Sequence, residues 1–282
     1  MGGGNMAGAI IGGLRRAGTA ATEMHVIELD AARGAALRAE FGVSVATAAD
    51  ERIAAADVIV LAVKPQQLRA ACEQIAPLLE PKAASAPRST AVRAQPLLLS
   101  IAAGIRAREI ARWSGVEGVV RAMPNTPALI GCGVSGVAAL SAVSEAQRQR
   151  ATTILKAIGE IVWFEDEAML DPVTAVSGSG PAYVFYFIEA LLRAGRELGL
   201  SDAQARTLAV HTFAGAAQLA AGTSDSVATL RERVTSKGGT TAAALASLDA
   251  AHVADAIVAA VRAANQRARE LGDEFGEELT VR

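Results

Sequence analysis

Four loop-like stretches and one acidic pair are the residues of this chain whose types and spacing could do chemistry. The first stretch, Gly2-Gly-Gly-Asn-Met-Ala7, is a G-x-G-x-x-A loop in which Gly2, Gly4 and Ala7 hold the fixed positions and Asn5 and Met6 the variable ones. Such a loop joins a strand to a helix: glycine lets the backbone approach a pyrophosphate, and the helix start offers free N–H groups and a positive dipole end. Glycine-rich openings are common, so the context decides. Ile10, Ile11 and Leu14 fall on one helical stripe just after the loop. Glu28 and Asp30 close a short apolar run from His25 to Leu29, where a dinucleotide-binding unit places the carboxylate for a ribose hydroxyl. The strand that should precede the loop is missing, because Met1 stands where it would end. A dinucleotide-binding unit short by its first strand is expected.

The other stretches lie further along. Met123-Pro-Asn-Thr-Pro-Ala-Leu-Ile130 follows an apolar run and so falls where a nicotinamide could lie. Val176-Ser-Gly-Ser-Gly-Pro-Ala-Tyr183 breaks one helix and opens another, with Pro181 suited to a first turn. Thr235-Ser-Lys-Gly-Gly-Thr-Thr241 opens a third helix. Successive N–H groups at helix starts make carboxylate sites, although each stretch alone reads equally well as an ordinary loop.

Composition narrows the class. The chain has 282 residues, half of them apolar and 20% charged, which gives ample core and argues against disorder. A net charge of −2 without a basic cluster argues against a nucleic-acid partner. Cys72 and Cys132 fit no metal or redox spacing, and His25, His211 and His252 are scattered without ligand spacing, so no metal is expected. No signal peptide is recognisable and the apolar runs fall short of a membrane span, which makes a cytoplasmic protein the expectation.

The elements that must position the loops alternate in the first half. Strands are expected at 57–63, 97–101, 119–122, 133–140 and 160–164, with helices between them, one carrying Leu68, Cys72, Ile75 and Leu79 on one face. That alternation implies an α/β fold, a Rossmann-type doubly wound parallel sheet with ligands at the carboxyl ends of its strands. Residues 81–96 lack a period and read as an exposed loop or insertion. After about residue 165 the pattern turns all-helical, with segments at 181–198, 201–221, 226–234, 240–248 and 252–275. Their apolar stripes exceed what one small bundle can bury, which points to a subunit interface. The expected division is 1–165 for the dinucleotide-binding domain and 166–282 for a helical dimerisation and substrate domain.

Together these segments bear a family resemblance. Val63-Lys64-Pro65, Ser100-Ile-Ala-Ala-Gly104, Arg121-Ala-Met-Pro-Asn-Thr-Pro127, Val176-Ser-Gly-Ser-Gly-Pro-Ala182 and Gly238-Gly-Thr-Thr241 resemble, in order and over almost the whole chain, the motif segments of pyrroline-5-carboxylate reductases. The resemblance implies reduction of 1-pyrroline-5-carboxylate to L-proline with NADPH or NADH, by a homodimer from which larger rings are built. It implies that the amides of Gly239, Thr240 and Thr241 hold the substrate carboxylate, with the Thr241 hydroxyl near the imine nitrogen as the catalytic group. Gly178, Ser179 and Pro181 would shape the pocket floor. Gly2, Gly4, Asn5, Met6 and Ala7 would carry the pyrophosphate and Glu28 the ribose. Ala62, Val63, Lys64 and Pro65, with Ala102 and Ala103, would border the ribose and nicotinamide, and Met123, Pro124 and Asn125 would lie beside the ring.

The chain departs from that family in four places: the first strand, the insertion at 82–95, Glu28 where NADP-preferring members often carry a small hydroxylated residue, and Arg233 where some carry Asn. Two other readings stay open on the residues. One is a reductase of another small imino or hydroxy acid; the other is a truncated assembly subunit impaired in nucleotide binding.

Overall fold

A computed structural model describes residues 1–80 and 95–277, so the insertion expected within 81–96 lies almost wholly outside the described residues. The chain divides into two compact units. One is Met1–Gly178 together with the chain from Asn265 onward; the other is Ser179–Ala264.

In the first unit the order is α1 (Asn5–Arg16), β1 (His25–Ile27), α2 (Ala31–Phe41), β2 (Ser44–Ala46), α3 (Glu51–Ala55), β3 (Val58–Leu61), α4 (Pro65–Leu79), β4 (Leu97–Ser100), α5 (Ala107–Ser114), β5 (Val119–Met123), β6 (Gly133–Ala139), α6 (Glu145–Lys156), β7 (Gly159–Phe164) and a short α7 (Leu170–Val173). A π-helical turn, Thr174–Gly178, ends it. The apolar runs dictate the core. Leu97, Leu98 and Leu99 of β4 are fully buried, each worth about 2 kcal/mol of apolar transfer. The stripe of Leu68, Cys72, Ile75 and Leu79 on α4 packs into the same cluster as Ile59 and Leu61 of β3. Pro65 fixes the first turn of α4, where its missing N–H costs nothing.

Strands β3 to β7 form one sheet in sequence order, parallel except at β5–β6. That junction is antiparallel because the connection from Met123 to Gly133 is only a 3-10 turn, Thr126–Ile130. A parallel return needs a crossover of a dozen or more residues. Strands β1 and β2 form a separate parallel pair. His25 braces this pair, its ring nitrogens meeting Ser44 Oγ at 2.8 Å and Asp50 Oδ2 at 3.0 Å.

The first two residues lie between the two sheets. Met1 N donates to Val60 O (2.9 Å), Ala62 N donates to Met1 O (2.8 Å) and Gly2 N donates to Ile27 O (2.8 Å). The first two residues thus make strand-like bonds to β3 on one side and to the end of β1 on the other. Beyond them lies a cavity of about 1010 Å³ lined by Val26 and Ile27 of β1, Val58 and Val60 of β3, and Ile10 and Leu14 of α1.

The second unit contains α8 (Gly180–Glu197), α9 (Asp202–Ala221), α10 (Val227–Arg233), α11 (Thr240–Ala250) and the first half of α12 (Val253–Glu277), which runs back into the first unit. Ser201 caps α9 through a capping box with Gln204. Helices α8 and α9 pack where Gly195 meets Ala205. Within this unit only Gly195, Ala205 and Ala209 are buried. Phe185, Tyr186, Leu208, Leu219 and Val227 are each more than half exposed, which is the surplus apolar surface the stripes imply.

Candidate active site

The cofactor side is assembled from strand ends. Glu28 follows β1, Ala62–Pro65 follow β3, Ala102 and Ala103 follow β4, and Pro124 and Asn125 follow β5, which ends at Met123. All of these strands run in the orientation that places ligand loops at their carboxyl ends. The glycine loop lies against one of them. Gly2 has φ +86°, and a Cβ there would stand 2.8 Å from Ala62 O, so glycine is required by both conformation and close approach. Around Gly4 nothing would meet a Cβ within 4 Å.

Gly4 caps α1 without a side-chain hydrogen bond, and the first turn of α1 carries no acidic residue. The N–H groups of Asn5, Met6 and Ala7 are therefore left for an external anion. This fits a dinucleotide pyrophosphate. Glu28 sits at the loop as expected, but its carboxylate is held: Oε2 accepts the Gly3 N–H at 2.6 Å and Oε1 accepts the Asp30 N–H at 2.8 Å. Met1 does not place its charge at the pyrophosphate. Burial lowers its amine from 8.0 to about 6 while nearby Glu28 opposes the shift, and the group is spent on Val60 O.

Sequence reasoning missed several residues. Arg33 donates through Nε to Gly3 O (2.6 Å) and through Nη2 to Asn5 Oδ1 (2.9 Å), so the Gly3 peptide is gripped by a carboxylate at its N–H and a guanidinium at its carbonyl. The helix start at Asp30, whose carboxylate caps the Arg33 N–H, was the available signal. Beneath β5, Arg121 pairs with Glu167, and Arg106 pairs with Asp171 at 3.2 and 3.0 Å. Glu167 also accepts the Ala107 N–H at the start of α5 (2.7 Å). Burial pulls the Arg121 guanidinium down, against the pull of Glu167. The carboxamide of Asn125, the residue expected beside the ring, donates to Ser177 O and accepts the Val134 N–H.

In the second unit, Gly238 (φ +72°) and Gly239 lead into α11, which has neither a side-chain cap nor an acidic first turn. The Gly239 N–H donates to Ser236 O at 3.1 Å, which leaves the amides of Thr240 and Thr241 open at this helix start. Ser179 caps α8 just ahead of Pro181. No group of His, Cys, Asp and Glu among the described residues is placed to hold a metal.

Comparison with known proteins matches this geometry. Residues 167–271 match the family described as pyrroline-5-carboxylate reductase dimerisation. Residues 1–84 match that described as coenzyme F420-dependent NADP oxidoreductase. The pyrroline-5-carboxylate reductase of Pseudomonas aeruginosa is 43% identical over 98% of this chain and 97% of its own length. The chain belongs to the pyrroline-5-carboxylate reductase family. A solved pyrroline-5-carboxylate reductase from Coxiella burnetii superposes with a TM-score of 0.85 at 37% identity, covering 96% of each chain. One from Plasmodium falciparum, solved with NADP bound, superposes at 0.79 with 28% identity and the same coverage. As a member of this family the chain is an NAD(P)H-dependent oxidoreductase of proline biosynthesis, with a Rossmann-like domain ahead of a dimerisation domain.

Proposed function

We propose the following roles in the reduction of 1-pyrroline-5-carboxylate to L-proline. The open amides at the start of α1, with Gly2 and Gly4 giving access, hold the pyrophosphate, and Glu28 meets the adenosine ribose. Ala62, Val63, Lys64 and Pro65, with Ala102, Ala103, Met123 and Pro124, border the ribose and nicotinamide. NAD(P)H, when bound, supplies the hydride. At α11 the Thr240 and Thr241 amides take the substrate carboxylate, Gly239 shapes the turn, and Ser179 contributes to the pocket floor.

The Thr241 hydroxyl hydrogen-bonds the ring nitrogen. A cyclic imine is readily protonated near neutral pH, so no strong acid is required, in keeping with Lys237 being the only Lys or His in these late motifs. The work of the chain is positioning and exclusion of water. The start of the dimerisation match at residue 167 supports a domain division at 1–165 and 166–282, while the compact units part later, at Ser179, and the first takes back the chain from Asn265. The nearly unburied second unit supports a homodimer, and a larger ring built from such dimers, in the cytoplasm, is part of the same proposal.

The observation that carries the reading is the pair of helix starts, α1 and α11, left without caps or acidic residues. The test is the steady-state rate of nicotinamide oxidation with pyrroline-5-carboxylate against a panel of other small cyclic imines and 2-oxo acids. Equal turnover of the panel would remove the substrate assignment.

A further inference from the structure

The Asn125 carboxamide joins three segments of the first unit. Its Nδ2 donates to Ser177 O at 3.1 Å, and its Oδ1 accepts the Val134 N–H at 3.0 Å. Ser177 belongs to the π turn, Val134 to β6, and Asn125 itself to the exit of β5. The residue is 9% exposed. Its own helical turn needs none of this, because Thr126–Ile130 starts without a side-chain cap.

A second contact runs beside the first. A Cβ on Gly178 would stand 2.7 Å from the Met123 Cε, so the last residue of the π turn lies against the last residue of β5. Within the turn, Thr174 and Ser177 hydroxyls bond back to Leu170 O and Val173 O, as small hydroxylated residues do where a helix is deformed. Isolated π turns are rare and cluster at functional sites.

The geometry points to Asn125 as a positioning residue, which fixes the spacing between the Met123–Pro124 loop and the Thr174–Gly178 turn, and not as a cofactor ligand. The inference rests on the proposed function only in that Met123 and Pro124 border the nicotinamide. Residue chemistry selects asparagine. One planar group must donate to a carbonyl and accept from an N–H, at the reach of a single methylene. Aspartate would turn a carboxylate oxygen against the Ser177 carbonyl. Alanine or leucine would leave a buried carbonyl and a buried N–H without partners.

The test compares wild type with Asn125→Asp, Asn125→Ser and Gly178→Ala, measuring kcat, both KM values and the dissociation constant of NADH by fluorescence. If Asn125 sets spacing, kcat falls about 10- to 100-fold, as a misplacement near 1 Å does. NADH affinity changes less than about twofold, and Gly178→Ala, which pushes the same two segments apart without touching a polar group, gives the same split. The Ser and Ala variants keep the question open to test if the Asp variant does not fold. In the double variant Asn125→Ser/Gly178→Ala the losses fall short of additive, because both act on one spacing. Loss of NADH affinity in proportion to kcat would make Asn125 a direct ligand and overturn the inference. So would unchanged kcat in folded variants, or a lowered melting temperature as the sole effect. Wild-type turnover of pyrroline-5-carboxylate in the same assay separates this from a failure of the functional reading itself.

Discussion

At the scale of single residues, Glu28 decides most. Its carboxylate is fixed by the Gly3 and Asp30 amides at the loop proposed to receive the cofactor. A fixed negative charge accepts ribose hydroxyls and repels a 2′-phosphate, while Arg33 nearby favours one. The expected outcome is that NADH is used at least as well as NADPH in steady-state kcat/KM. A preference for NADPH above about tenfold, or roughly 1.4 kcal/mol, would show that Arg33 wins. Thr241→Ala tests the other end of the reaction. Loss of one hydrogen bond is worth about 0.5–1.5 kcal/mol, so kcat/KM for pyrroline-5-carboxylate drops several-fold to about tenfold while NADH affinity stays level. Unchanged kcat/KM would take the hydroxyl out of the chemistry. These residues were legible in the sequence because glycine spacing and helix-start chemistry are local. The side-chain bonds of Arg33, the Asn125–Ser177 bond and the Arg121–Glu167 pair were not, because those partners lie between 28 and 52 residues apart and no local pattern encodes them.

At the scale of elements, long periodic segments were read well and short ones were not. The stripe on α4 and the five helices from α8 to α12 agree within a few residues, since ten or more residues of period 3.6 leave little ambiguity. Strand β2 and helix α3, three and five residues long, carry no such period and went unread. The antiparallel turn of β6 also escaped, because chain direction follows from connection length and not from strand composition. The split between β1 and β3 makes a direct prediction. By the two-residue alternation set by Met1 and Gly2, Val58 O and Val60 N point into the cavity from one side and His25 O and Ile27 N from the other. Five to eight β-forming residues placed ahead of Gly2 should pair with both edges. The gain is about 1–3 kcal/mol for each buried group satisfied, read as a melting temperature several degrees higher and tighter NADH binding. If neither rises, the sheet does not accept a strand there.

The same place gives a pH dependence. The Met1 amine titrates near 6 when folded against 8.0 when free, so the unfolded chain binds more protons between those values. Stability should therefore fall as pH drops from about 8 to about 6 and level off below, by about 3 kcal/mol in all. Urea denaturation of the free and the N-terminally acetylated chain checks this, since acetylation should abolish that part of the slope.

At the scale of the whole molecule, the second unit cannot be stable alone as drawn, with three buried residues in 179–264. A folded dimer binds its own second copy, so its melting temperature should rise with protein concentration. Phe185→Asp or Leu219→Asp, on exposed apolar positions, should shift sedimentation toward monomer and lower stability by more than an ordinary surface change of about 0.5 kcal/mol. A concentration-independent monomer would contradict the dimer.

The chain path carries one more consequence. Because the first unit takes back the chain from Asn265 onward, including Gly272 packed on Arg106, it cannot close until the last helix has been made. At about 5–20 residues per second, a ribosome spends roughly 4–17 s on the intervening stretch. Through that interval the nascent chain holds an unfinished nucleotide-binding unit, followed by helices whose apolar faces await another copy. Neighbouring ribosomes on one message bring such copies together, so assembly during translation would shorten the exposure. Stalling after Ala264 would instead leave a species that aggregates or recruits a chaperone.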